Sequence, residues 1–302
     1  MRIVHGVIPV AGMGIRLLPS TKSQPKEMLP VGRKPVVQYV VEEFISARVD
    51  KILFVTGRTK TAIENHFDLD PELLRHLARK HADLLKTLDY LRKNVQFYYT
   101  RQSVQKGVGH AIGLAEQFVS DEPFAVALGD SIIVDDGPIS VTERMIDCFQ
   151  ERKAKCVVAF EKVPRAHVSR YGIAKPKKDG EIFEVADLIE KPEVDEAPST
   201  WAVAARYIFD PIIFETLRRT KPGKGGEIQI TDAIVAVAKQ YGGVYGVKLR
   251  GHERRYDIGN YESYFKSFID FALADKEHGA EIRKYIRHIV GKPLRRTAKV
   301  RE

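Results

Sequence analysis

Two glycines and two widely spaced cations carry the first chemical signal in this chain. Residues 6–30 read Gly-Val-Ile-Pro-Val-Ala-Gly-Met-Gly-Ile-Arg-Leu-Leu-Pro-Ser-Thr-Lys-Ser-Gln-Pro-Lys-Glu-Met-Leu-Pro. An apolar run enters a turn at Gly12 and Gly14, Arg16 follows directly, and Lys26 comes ten residues later. Glycines let the backbone turn sharply and bring its N–H groups against phosphate oxygens. Arg16 and Lys26 add positive charge at two points along a phosphate chain. This layout predicts a pocket for a triphosphate. It is neither a dinucleotide-binding turn, which needs a third glycine, nor a P-loop, which closes with Gly-Lys-Ser/Thr.

Acids and amides further along could complete such a site. Asp130 follows the apolar run Phe124–Leu128 through Gly129, and Asp257 stands in Arg-Tyr-Asp-Ile-Gly-Asn. Each is a carboxylate at a strand's carboxyl end or beside a glycine, suited to Mg²⁺ next to a nucleotide. Each could equally be a loop or cap aspartate. Gln102 precedes Lys106-Gly-Val-Gly-His-Ala111. A glutamine can meet a base edge with one donor and one acceptor, and Gly107 and Gly109 would admit a flat ring. The same residues could simply start a helix, and His110 reads as helix packing. Glu190-Lys191-Pro192 ends another apolar run. Its carboxylate could accept from sugar hydroxyls and its lysine could meet a phosphate, or the tripeptide could be a bare strand end.

The elements that must position these residues alternate in the first half. Ile3–Val10, Lys51–Thr56, Val95–Tyr99 and Phe124–Leu128 read as strands; Val37, Val40, Val41, Phe44 and Ile45 recur at helical spacing after Pro35, and Gly109–Val119 reads as a further helical stretch. The pattern is α/β, with ligands expected at the carboxyl ends of the strands. Residues 71–93 read as one long amphipathic helix with a leucine face, either a packed insertion or a self-association surface. In the second half, Cys156–Glu161, Ile182–Ile189 and Ala202–Phe209 suggest longer, antiparallel strands. A helix over Ile230–Gln240 is expected to begin at a Thr231-Asp232 cap, and Tyr261–Ile289 is helix-rich with a break near Gly279. One continuous mixed sheet is the economical arrangement.

Bulk properties narrow the class. The chain has 302 residues, 44% apolar and 29% charged, with a net charge of +9. That is a globular composition with length for one large domain or two. No apolar run is long enough to span a membrane, and no signal peptide is expected. Cys148 and Cys156, the only cysteines, fit no metal spacing and suggest a reducing compartment. Residues 291–302 hold five cations and one acid. With no aromatic interleaving, they read as a solvated tail rather than a nucleic-acid arm.

Jointly, these motifs resemble the sugar-phosphate nucleotidyltransferases, and within them the bacterial UTP–glucose-1-phosphate uridylyltransferases, over about residues 3–275. The resemblance rests on residues 7–16, Pro25-Lys-Glu-Met-Leu-Pro30, residues 34–41, Ile63-Glu-Asn-His-Phe-Asp68, Arg101-Gln102, residues 106–111, Tyr171-Gly172, Glu190-Lys-Pro192, Ala197-Pro-Ser199 and residues 226–234. It implies a Rossmann-like α/β fold with a mixed, mostly parallel central sheet flanked by helices, a small sugar-side β subdomain and C-terminal helices. The transferase domain would cover 1–275, with the nucleotide part at about 1–135 and the sugar-phosphate part at about 136–260. Residues 276–302 would form a C-terminal helix and the basic tail.

The implied reaction joins UTP and glucose 1-phosphate into UDP-glucose and pyrophosphate, with Mg²⁺ on Asp130 and Asp257. Lys26 is implied on the α-phosphate. Arg16 is implied on the β- and γ-phosphates, with the amides around Gly12 and Gly14. Gln102 and Gly107 would read the uracil beside Ala11 and Gly12, and Gly129 is implied on the nucleotide. Gly172, Glu190 and Lys191 are implied on the sugar phosphate. The segment 71–93 looks like an insertion of the uridylyltransferases, favouring UTP over dTTP. A cytoplasmic homodimer or homotetramer is implied. Three positions depart from the family pattern. Ile15 replaces a threonine, predicting weakened triphosphate binding. Tyr261 replaces a lysine, so one phosphate-side cation is absent or supplied elsewhere. Thr200 replaces an asparagine and leaves the sugar open. The alternatives are the same fold using dTTP, CTP or another hexose 1-phosphate, and a non-catalytic sugar-nucleotide sensor.

Overall fold

The computed structural model describes residues 2–92 and 94–290; the basic tail at 291–302 lies outside them. Its strands are β1 (His5–Pro9), β2 (Pro30–Val31), β3 (Lys34–Pro35), β4 (Lys51–Thr56), β5 (Gln96–Arg101), β6 (Phe124–Ala127), β7 (Ser131–Val134), β8 (Cys156–Lys162), β9 (Gly172–Pro176), β10 (Ile182–Glu190), β11 (Trp201–Phe209), β12 (Val244–Lys248) and β13 (Arg254–Asp257). Nine of them form one sheet in the order β5-β4-β1-β6-β11-β8-β12-β10-β9. Pairing is parallel from β5 to β6 and between β8 and β12, and antiparallel at β6/β11, β11/β8, β12/β10 and β10/β9.

Alternation along each strand builds two cores, one on each face. Val7, Leu53, Val55 and Val126 enter one cluster, with Ile213, Leu217, Ile234 and Val237 from the second-half helices. Ile8, Ile52, Phe54 and Ala125 enter the other, with Val37, Val40, Val41 and Phe44 of the helix Val36–Ser46. Burying each large side chain contributes about 1.5–3 kcal/mol. A Cβ at Gly6 would lie 2.7 Å from the Phe44 ring, so that helix can sit directly on β1 only because residue 6 has no side chain.

Three expectations change. The segment 71–93 is not one helix. An α-helix capped by Asp70 covers Pro71–Lys80 and buries none of its residues, and a 3-10 stretch, Ala82–Arg92, follows a break at His81. With no residue of the first helix fully buried, little burial holds the pattern in line. The helix Ile230–Gln240 starts at Gln229, without a side-chain cap at Thr231 or Asp232. Its start is set earlier, where Ile228 N–H donates to Lys106 O and Ile228 O accepts from Gly109 N–H, at 2.8 and 2.9 Å. The stretch Gly109–Val119 is two short helices, Val108–Gly113 and Glu116–Val119.

A two-stranded ribbon, β7 with β13, matters most for the chemistry. Its register pairs Ser131 with Asp257, and Ile258 N–H donates to Asp130 O at 2.9 Å. The two aspartates singled out from sequence are thereby neighbours, although 127 positions separate them.

Candidate active site

The chain leaves β1 at Pro9 and turns through Ala11, Gly12 and Gly14. Gly14 takes φ +68°, a left-handed conformation that favours glycine. Leu17 N–H and the Thr21 hydroxyl both donate to Gly14 O, at 2.9 and 2.8 Å. Sequence reasoning missed Gln105, whose Nε2 donates to Ala11 O at 2.6 Å. Its signal was faint: one more amide in a loop already rich in polar residues.

This turn walls a cavity of about 380 Å³ lined by Ala11, Gly12, Gly14, Arg16, Lys26, Gln102, Gly107 and Asp130, with Ile15, Gln105, Glu227 and Gly259. Eight of the residues expected from sequence thus share one hollow. Gly129 lies outside its lining, because the Cβ direction there points at Val10 and Ile8, within 2.5 and 3.2 Å. A roomier hollow of about 510 Å³, lined by Arg2, Arg48 and Glu143 among others, contains none of the expected residues.

Lys26 ion-pairs with Asp130 on the cavity wall. Burial disfavours the ammonium, but Asp130, Glu27 and Asp257 outweigh it, and the Lys26 pKa rises. Burial likewise opposes the Asp130 carboxylate. Lys26 overcomes that, and the Asp130 pKa falls. Asp257 behaves oppositely: burial first, and then the neighbouring Asp130 charge, raise its carboxyl. Two hard carboxylates forced together, one unable to relieve its charge, are a donor set that fits Mg²⁺, which takes one or two carboxylates and completes its shell with phosphates and water. Arg16 approaches the same end. A Cβ on Gly259 would stand 3.7 Å from its guanidinium and 2.9 Å from Asp257 Oδ1.

Buried charges behind the wall were not found from sequence. Glu27 pairs with Lys60 at 2.8 Å, both almost fully enclosed. Burial raises the Glu27 carboxyl, opposed by Lys60 and Lys26. Arg255 binds Glu161, stands 3.6 Å from Asp257 and lies 5.0 Å from the centre of the Tyr171 ring. Arg206, 1% exposed, bonds Glu43 and donates to Ser131 O at 2.9 Å, bracing β7. A charged residue inside an apolar strand, as in Cys-Val-Val-Ala-Phe-Glu-Lys of β8, is the signal that could have found Glu161.

The sugar-side candidates form a separate group at the β9/β10 end. Glu190 pairs in register with Gly172 and accepts from the Thr231 hydroxyl at 3.2 Å. A Cβ on Gly172 would reach Thr231 at 2.8 Å and Glu190 Oε2 at 3.3 Å. Lys191 holds φ +46°, unusual for a residue with a side chain. Its N–H donates to Tyr171 O at 3.0 Å, and its Nζ lies 3.3 Å from Glu190. These residues do not line the cavity; Tyr171 and Arg255 link them to Asp257.

Of the departures, Ile15 is 64% exposed at the cavity. The Tyr261 hydroxyl donates to Leu17 O at 3.1 Å and meets Ser20 Oγ at 3.0 Å, tying the helix Tyr261–Leu273 to the glycine turn. Asp135, His252 and Glu253 also gather closely, but Arg144 occupies both Glu253 oxygens at 2.6 Å, which leaves no room there for a second cation.

A glycine turn with Arg16, Lys26 and Asp130 around one hollow at the strand ends, and Asp257 held beside Asp130, define a phosphoryl-handling α/β protein. The chain belongs to the nucleotidyl transferase family, whose model matches residues 5–272. It is similar to UTP–glucose-1-phosphate uridylyltransferase 1 of Staphylococcus saprophyticus, with 42% identity covering 96% of this chain and 99% of the relative. Among solved structures it resembles a UDP-glucose pyrophosphorylase complexed with UDP-glucose, with 38% identity, TM-score 0.82, and 90% of this chain and 100% of that one covered. It also resembles the UTP-bound enzyme of Acinetobacter baumannii, with 31% identity, TM-score 0.86, and 95% and 99% covered.

Proposed function

We infer that this chain transfers the uridylyl group of UTP to glucose 1-phosphate, forming UDP-glucose and pyrophosphate. The observation that carries the reading is the convergence of Arg16, Lys26, Asp130 and the glycine turn on one cavity, with Asp257 paired across the ribbon. The uridylyltransferase and pyrophosphorylase names of relatives matched over nearly their whole length support it.

The nucleophile is a phosphate oxygen, ionised at neutral pH, so no side chain has to remove a proton. It attacks the α-phosphorus; the bond from that phosphorus to the bridging oxygen breaks, and pyrophosphate leaves. The obstacle is repulsion between two polyanions, and the remedy is positioning and neutralisation. Lys26 screens the α-phosphate as charge builds there. Arg16 and the turn amides hold the β- and γ-phosphates and the departing pyrophosphate. Asp130 and Asp257 would hold Mg²⁺, which would supply neutralisation of phosphate charge. Gln102 and Gly107, beside Ala11 and Gly12, receive the base. Lys191 grips the sugar phosphate, and Glu190 and Gly172 take sugar hydroxyls.

The accompanying organisation is one transferase domain over about residues 1–275, with nucleotide and sugar-phosphate parts meeting near residue 135. A homo-oligomer in the cytoplasm belongs to the same reading. Leu69 and Leu73, more than 40% exposed, offer an uncovered apolar edge for self-association. Both cysteines are free thiols. Among the described residues no helix is long and apolar enough to cross a membrane.

Pyrophosphate release by the purified chain, measured against UTP, dTTP and CTP and against several hexose 1-phosphates with Mg²⁺, tests the assignment. Turnover highest with UTP and glucose 1-phosphate is expected. Binding of UDP-glucose with no turnover of any pair would make the chain a sensor instead.

A further inference from the structure

Gln102 enters the site after β5 and is 6% exposed. Its Nε2 lies 3.1 Å from the Gly107 carbonyl oxygen and 2.8 Å from Nδ1 of His110. A carbonyl oxygen can only accept, so the amide group facing Gly107 has to be the –NH₂. That nitrogen carries two hydrogens. One goes to Gly107, and the other goes to Nδ1 of a neutral imidazole protonated on Nε2. Both donors are thereby used inside the protein. Oε1 is the polar atom that Gln102 still offers to the cavity it lines.

The Gly107 carbonyl is itself held. Lys106 O and Gly109 N–H are both strapped to Ile228. Gly107 takes φ +91°, and a Cβ there would meet Glu227 Cβ at 2.7 Å. Burial, aided by Lys106, lowers the His110 pKa and so favours the neutral ring.

Resting on the uridylyl-transfer reading, we propose that His110 is a positioning residue: with the Gly107 carbonyl it fixes the Gln102 amide so that the base meets an acceptor, which selects pyrimidines carrying a proton on N3 over cytosine. Uracil donates from N3–H to Oε1. Cytosine presents a lone pair there, setting two acceptors against each other in a shielded site. Thymine carries the same N3–H, so this device does not separate UTP from dTTP.

The test is calorimetric binding of UTP and of CTP, without sugar phosphate, to the parent chain and to three variants. The parent should favour UTP by about a hundredfold. His110→Leu frees the amide to rotate and should narrow the ratio about tenfold, in Kd and KM rather than in kcat. His110→Asn, whose side-chain oxygen can take the place of Nδ1, should retain the parent ratio. Gln102→Met, close in size, should bind the two nucleotides alike whether or not His110→Leu folds. Equal binding by the parent, or a parental ratio in His110→Leu, overturns the proposal. Binding is read without turnover: a parent that prefers UTP but releases no pyrophosphate would remove the transferase reading and leave this one standing.

Discussion

Lys26 and Asp130 form an ion pair across 104 positions of sequence, at the mouth of the glycine turn. The pair sets the charge balance of the whole site. The aspartate stays ionised because the ammonium is beside it, and the ammonium is held despite burial because three carboxylates surround it. A lysine restrained in this way is pre-organised to meet an incoming phosphate without first finding its rotamer.

Lys26→Ala should therefore lower kcat by about a hundredfold or more, with a smaller change in KM for UTP, since the contact tightens as charge develops. Initial rates at saturating UTP and glucose 1-phosphate measure it. A kcat within a few-fold of the parent would take the α-phosphate role away from Lys26.

Arg255 reaches the chemistry through Asp257. Its guanidinium joins Glu161, Asp257 and the Tyr171 ring, three groups on separate elements. Arg255→Lys keeps the charge and loses the fork and the stacking. Affinity for Mn²⁺, followed by electron paramagnetic resonance, should weaken by about tenfold or more. Tyr171→Leu touches no metal ligand and should weaken Mn²⁺ in the same direction by less. Unchanged affinity in both variants would make Arg255 a structural plug only.

The pH dependence follows from opposite shifts in the aspartate pair. Asp257 is raised by burial and by Asp130, so its ionised form subtracts stability above the ordinary aspartate value of about 3.9. Asp130 is lowered, because Lys26 outweighs its burial; its contribution is present above about 3.9 and is lost only in stronger acid. A divalent cation held by the doubly ionised pair, as proposed, would reverse the Asp257 penalty. Mg²⁺ should raise Tm relative to EDTA, and by more at pH 8 than at pH 5. An equal increment at both pH values, or none, would remove the metal from these carboxylates.

Much of this was legible from local pattern. The glycine turn, the short buried strands and the helix Val36–Ser46 each carry their instructions within a dozen residues, and Asp130 stands next to a strand whose end could be read. What was not legible is pairing at long range. Glu27 with Lys60, Arg255 with Glu161 and Gln105 with Ala11 O are 33, 94 and 94 positions apart. A charged or amide residue looks alike in sequence whether it faces water or a buried partner. The break at His81 was hidden for a related reason. A leucine periodicity predicts a helix, but whether the helix continues depends on a surface to pack against, and none of Pro71–Lys80 is buried.

Ile15 gives a gain-of-function test. It lies at the cavity between Gly14 and Arg16, 64% exposed and outside the hydrophobic clusters, so replacing it removes little packing. Ile15→Thr adds a hydroxyl that can both donate and accept where the triphosphate is expected. A single new hydrogen bond contributes about 1 kcal/mol, which corresponds to KM for UTP falling by roughly threefold to fivefold. The change belongs to binding shared by ground and transition states, so kcat should hold. Thermal stability should stay within about 0.5 kcal/mol of the parent, as for other exposed substitutions. If KM for UTP does not move, the hydroxyl finds no phosphate partner, and the β- and γ-phosphates do not lie against this part of the turn.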